Sequence, residues 1–175
     1  MVRKEAVAVM YLDEFFNYKN QLMEDLLTEP NIVKLINENV SMEDAASLVY
    51  TQVFPYEYVP DTVEHGLTFV CSDVDIVESP TKTYYNPTLY VWIFTHKSLL
   101  RLPEGGVRTD KLAHEIAKKL SGSRFYGLGE LDLRSVKRFA PMMDYQGKVL
   151  IFDATDFNRI SPTGKPIPGN RKKGV

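Results

Sequence analysis

The chain is poor in the residues that staple or catalyse. One cysteine, Cys71, stands among 175 residues, which excludes an intramolecular disulfide framework and a structural zinc site built on cysteines. Three histidines, His65, His96 and His114, fall in three different predicted elements. His114-Glu115 has no second histidine four residues on, so the helical zinc-protease pattern is missing. No apolar run reaches the roughly 18 residues of a membrane span. Met1-Val2-Arg3-Lys4-Glu5 leads into mixed polar sequence and not into an apolar secretory core. Neither sign of charge dominates: 21 Lys+Arg face 23 Asp+Glu, a net of -2, which excludes an overall basic nucleic-acid binder. Gly127-x-Gly129 is too short for a dinucleotide fingerprint, and no lysine follows a glycine cluster to hold phosphate. These absences predict a reduced, intracellular, soluble protein with no metal, no cofactor and no membrane contact.

What is present suits an ordinary domain, with 44% hydrophobic and 25% charged residues. At this length a single domain buries about 70% of its unfolded surface without staples. The charge is unevenly placed. Residues 159–175 hold Arg159, Lys165, Arg171, Lys172 and Lys173 and no acid, leaving -7 on residues 1–158 (-2 less +5). Proline and glycine fill much of the remaining tail, which lacks the apolar content to offset the entropy of ordering it. Two readings stay open: a solvated C-terminal segment, or a flexible arm that orders on an acidic neighbouring surface.

Periodicity gives the organisation: one α+β domain over 1–158, then the basic tail 159–175. Residues 1–50 read as helical. Leu12, Phe15, Phe16, Lys19, Leu22, Met23, Leu26 and Leu27 recur near the helical period, and Glu29-Pro30 ends that run. Asn31 is the expected cap of a short helix through Ile36, and Ser41 with Asp44 forms a capping-box pattern. Residues 51–67 form an extended aromatic connector, where Pro55 and Pro60 forbid helix. Sheet and helix occupy 68–158. In the run Thr68–Val77, Val70, Val74 and Ile76 share one face; Phe69, Cys71 and Val77 share the other with Asp73 and Asp75. After a turn at 79–83, both faces of the next strand are apolar: Tyr90, Trp92 and Phe94 against Leu89, Val91 and Ile93. That pattern predicts a central strand covered on two sides. Thr109 is the expected cap of a helix through Leu120, with Leu112, Ile116 and Leu120 on one face. Leu131, Leu133 and Val136 suggest a short strand or turn. Asp144–Gly147 reads as a turn before a last strand over 148–154. The fold class is α+β: a mixed or antiparallel sheet with helices mainly on one face.

Chemistry finds few footholds. Cys71 sits among apolar strand neighbours and reads as a buried structural thiol. The acids Asp73, Asp75, Asp153 and Asp156 are the best enzymatic alternative, a metal-dependent nuclease, but no lysine follows Asp73 or Asp75 in the spacing that reading wants. The aromatics Tyr56, Tyr58, Tyr84, Tyr85, Tyr90, Trp92 and Phe94 lack the interleaved bases that single-stranded nucleic acid requires. Tyrosine and tryptophan with little charge fit a protein interface better. Candidate interface residues are Tyr56, Tyr58, Tyr90, Trp92 and Phe94, with Arg171, Lys172 and Lys173 of the tail.

The run Phe54-Pro55-Tyr56-Glu57-Tyr58-Val59-Pro60-Asp61-Thr62, the strand Thr68–Asp75, the aromatic strand and the Thr109–Leu120 helix together resemble neck proteins of tailed bacteriophages, and most of all tail terminators. The resemblance spans roughly residues 50–158 and rests on element order. It implies an α+β subunit of a ring, commonly of six, that closes the tail tube and joins it to the head. It implies as partners further copies of itself, the tail tube protein and head-completion or neck proteins, with DNA only passing through the channel. The implied location is the virion, and no catalytic residue carries over. Another neck or head-completion connector is the nearest alternative.

Overall fold

A computed structural model describes residues 17–63, 66–78, 85–126 and 129–154. Helix α1 is described over 17–26, followed by α2 at Pro30–Ile36 and a 3-10 turn at Ala45–Leu48. The strands are β1 Val53–Phe54, β2 Thr68–Glu78, β3 Tyr85–His96, β4 Leu131–Phe139 and β5 Tyr145–Ala154, with α3 at Arg108–Leu120 between β3 and β4. They form one mixed sheet in the order β1-β2-β3-β5-β4. Among the described strands only β1 runs parallel to its neighbour. The expected α+β class is what the chain adopts.

The strands obey the alternation in the sequence. Thr68 pairs with Thr95 and Val70 with Ile93, so Val70, Ile93 and the other odd positions of β3 face one way. On that face Val70, Leu89, Val91, Ile93, Leu150 and Phe152 are buried. The helices cover it with Leu22, Leu26, Ile32, Leu112, Ile116 and Leu120. Each large apolar side chain removed from water stabilises the fold by about 1.5–3 kcal/mol, and this face is the main core.

Pro87 lies inside β3, where a proline usually breaks a ladder. Its register partner is Ile76 of β2, while the β3–β5 ladder begins one residue later, at Thr88 opposite Asp153. Pro87 therefore stands just beyond the end of the β3–β5 ladder, at the margin of the sheet.

Several local expectations are corrected. Asn31 does not cap α2: the helix starts at Pro30 with Glu29 as N-cap and no side-chain cap, because proline fits the first helical position, where no N–H is needed. Thr109 does not cap α3. The Arg101–Val107 bridge and the Arg108 N–H donating to the Leu100 carbonyl hold the chain extended up to Val107, so the helix opens at Arg108. The connector begins with two strand residues, since Val53 and Phe54 pair with Val70 and Cys71. Segment 131–139 is a full nine-residue strand. Residues 145–147 belong to β5, with Gly147 opposite Phe94. Ser41 behaves as expected: its Oγ accepts from the Asp44 N–H and donates to the Asp44 carboxylate. Leu12, Phe15, Phe16, His65, Tyr84, the 79–83 turn, Asp156 and the tail 159–175 lie outside the described residues.

Candidate interaction surface

The described residues cover the second face of the sheet over only part of its length. Towards the His96 end of β3, the connector folds across it. Tyr58 stacks on Phe54 with ring centroids 4.0 Å apart, and Phe69 stacks on Phe94 at 5.2 Å. Phe139 and Tyr145 meet Phe94 edge-on. The result is a second, aromatic core of Phe54, Phe69, Cys71, Phe94 and Tyr145. Two prolines make this possible, since Pro55 and Pro60 keep the intervening chain extended and both are buried.

Towards the Asp153 end this cover gives way to a more open stretch. There Tyr90 and Trp92 lie half-buried and stacked, 5.6 Å apart with rings 14° from parallel. The alternation of β5 puts Val149 and Ile151 beside them, and that of β4 puts Ser135 and Lys137 on the same face. Val149 and Ile151 are already buried between these neighbours. A flat pair of amphipathic rings beside buried apolar side chains is the composition of an interface centre.

The other candidates distribute as follows. Tyr56 is exposed and touches Phe54 at 5.5 Å. Tyr58 is half-buried in the aromatic core. Phe94 is wholly buried by its own chain, so its ring is committed to folding. Arg171, Lys172 and Lys173 lie outside the described residues.

The acids of the nuclease alternative are dispersed. Asp73 takes an ion pair from Lys19 at 2.8 Å and accepts the N–H of Val74. Asp153 is gripped by Arg134 at 3.0 Å and 3.2 Å. Asp75 stands two strands from Asp153, with Thr88 between them. Among the described residues no group of three or more His, Cys, Asp or Glu is placed to hold a metal ion. Cys71 is buried, and desolvation pushes its thiol up to about 12, against a weaker opposing hydrogen bond to the Tyr58 carbonyl. It is protonated at neutral pH and a poor nucleophile. His96 is buried, with its Nδ1 hydrogen-bonded to Ser98, and His114 is exposed on α3.

A shallow cleft lies between α2 and the loop before α3, lined by Lys34, Glu38, Glu104, Arg108 and Lys111 among others. Four of these charges are matched internally, Arg108 with Glu38 and Lys111 with Glu104. Arg108 is buried and also donates to the carbonyls of Leu35 and Leu99, tying α2 to α3. Sequence patterning did not single it out, because a lone arginine at a helix start looks like any solvated one. Patterning also undersized β4. The register shift between Leu133 and Ser135 breaks the alternation and hides a strand whose later half carries Lys137 and Arg138.

A family model described as YomW matches residues 12–154 of the chain. No curated protein matches it. One chain of a solved structure described as "Virion of native gene transfer agent (GTA) particle" is similar at 15% identity, over 76% of this chain and 89% of that chain, with a TM-score of 0.46.

Proposed function

We propose, from the premise that the chain belongs to the YomW family, a phage-associated family, that it is a structural protein of a phage particle and acts as a tail terminator. In this reading, copies form a ring that closes the tail tube and offers a face to the head-completion or neck proteins. DNA passes through the ring without being bound by it. The observation that carries the reading is the half-open second face of the sheet. The stacked Tyr90–Trp92 pair lies beside Val149 and Ile151, next to a stretch the connector has already sealed. A chain that folds a connector over one part of a sheet face and leaves aromatic rings half-uncovered on the rest is equipped to bury that rest against protein. A connector at another neck position would use the same surface, and the two roles differ in what their loss does to tails.

Mass measurement and negative-stain imaging of the purified full chain test assembly; a ring of fixed stoichiometry is expected. Particles made without this protein test the role. Completed heads beside unjoined tails of uncontrolled length are expected for a terminator. Tails of normal length that merely fail to attach would move the protein to another neck position. A strictly monomeric chain that cleaves DNA in a metal-dependent way, with cleavage lost in Asp75→Ala and Asp153→Ala, would overturn the structural reading.

A further inference from the structure

The sheet ends in two strand edges of opposite charge. On one side, β1 pairs with Val70 and Cys71, so from Ser72 to Glu78 strand β2 has β3 alone as a ladder partner among the described residues. That run, Ser-Asp-Val-Asp-Ile-Val-Glu, holds three acids and no base. On the other side, β4 pairs only with β5 among the described residues. Its sequence, Leu-Asp-Leu-Arg-Ser-Val-Lys-Arg-Phe, holds three bases and one acid. Past the bulge at Leu133/Ser135 the strand is regular, and there Lys137 and Arg138 are exposed. Asp75 and Val77 are exposed on the β2 edge.

A lone charged edge is a common defence against strand pairing. Two edges of opposite sign on one sheet do something more selective. Bringing β2 to β2, or β4 to β4, sets like charges side by side and disfavours a two-fold dimer. Bringing β4 of one copy to β2 of the next sets a basic run against an acidic one, with Lys137 on the same face of the continued sheet as Asp73 and Asp75. We infer that the acidic edge Ser72–Glu78 of one copy takes the basic edge Ser135–Phe139 of a second copy, head to tail, continuing the sheet from subunit to subunit. Directions agree: β4 runs antiparallel to β5, β5 to β3, and β3 to β2. When successive sheets keep one orientation, β4 therefore meets the next copy's β2 antiparallel, the pairing in which ladder bonds lie square to the strands. A shift of two residues from level alignment puts Lys137 opposite Asp73, with both on the half-open face. A heterologous contact of this kind closes into a ring when the rotation allows. The inference rests on the ring reading above and names the surface that would build the ring.

The test uses the full chain at low and high salt, with assembly followed by light scattering after size-exclusion chromatography. Lys137→Glu with Arg138→Glu, and separately Asp75→Lys, should each raise the concentration for half-assembly at least about tenfold. The two reversed proteins, mixed, should assemble with each other better than either does alone, and assembly should weaken from low to high salt. A second measurement does not depend on affinity. Chains carrying Asp75→Cys and chains carrying Lys137→Cys, mixed with a short thiol cross-linker, should give the mixed adduct in excess over either homotypic one; the native Cys71 is buried in both. If wild type assembles and the reversed variants assemble equally well, or homotypic adducts dominate, the edge pairing is overturned while the ring stands. If wild type stays monomeric at every concentration, the ring reading falls and takes the edge pairing with it.

Discussion

Gly147 of β5 lies directly opposite Phe94 of β3, and only a hydrogen fits on its Cα. A Cβ there would stand 1.8 Å from the Ile93 carbonyl oxygen and 2.7 Å from the Phe94 Cα. Both neighbours are backbone in the middle of the sheet, so no side-chain rotation relieves the clash. Gly147→Ala should destabilise the fold at or above the upper end of the roughly 1–3 kcal/mol typical of overpacking. Urea titration followed by circular dichroism reads the change.

Trp92 and Phe94 sit two residues apart on one face and should respond differently. Phe94 is wholly buried within the chain, so Phe94→Ala should cost the fold about 3–5 kcal/mol. Trp92 is half-buried beside Tyr90. Trp92→Ala should cost the isolated fold less than that range and weaken assembly more than it weakens folding. Denaturation midpoints and assembly mass, measured on both variants, separate the two effects.

Arg108 is a buried charge with three separate tasks: the Leu99 carbonyl, the Leu35 carbonyl and the Glu38 carboxylate. Arg108→Met keeps much of the apolar bulk and orphans all three acceptors, two of them backbone. A loss of about 3–5 kcal/mol is expected, the scale for breaking a buried charged network from one side. Glu38→Gln should cost far less, since Glu38 is half-exposed and its carbonyl oxygen still accepts. Thermal unfolding of the two variants should show the asymmetry.

Alkaline pH should destabilise the protein. Burial raises the Cys71 thiol to about 12 in the fold, whereas the unfolded chain ionises near its ordinary value of 9.0. Tyr126 is also raised above its ordinary value of 10.0, by burial and then by its hydrogen bond to Asp25. Between the unfolded and folded values the folded state binds more protons, so stability falls as pH rises. Below about pH 8 the contribution is constant. Chemical denaturation from pH 7 to 11 should show the decline starting near 9, and Cys71→Ala should remove part of it. The same burial makes native Cys71 nearly inert to iodoacetamide at pH 8, with full reaction once the chain is unfolded.

Much of the architecture was legible because period-2 and period-3.6 patterns coincide with burial. Leu89, Val91 and Ile93 against Tyr90, Trp92 and Phe94 marked β3 as the central strand, and Leu112, Ile116 and Leu120 gave the buried stripe of α3. Strand ends and caps were not legible. Whether Thr109 or Val107 caps α3 depends on Leu100, which holds the Arg108 N–H from the far side of a loop. The half-cover of the second face was not legible either. Val149 and Ile151 look like any strand residues until β5 is known to lie between β3 and β4. Phe94 shows the limit for the surface itself: alternation assigns it to the same face as Tyr90 and Trp92, but only the fold of the 55–63 connector decides which part of that face is already spent.

The sheet order also sets how the chain can reach its fold. Within β2–β3 and β4–β5, paired residues are neighbours across a single hairpin. The seam between β3 and β5 joins His96 to Tyr145 and Thr88 to Asp153, with α3 and β4 in the intervening chain. Local pairings close small loops and form quickly, while a distant seam waits on a large loss of chain entropy. The two hairpins are therefore independent early units, and their docking is the slow step. Substitutions at the seam, Gly147 first among them, should slow refolding. Those at Ile76 and Val77, inside the β2–β3 hairpin that is already formed when the hairpins dock, should slow refolding too and leave unfolding nearly unchanged.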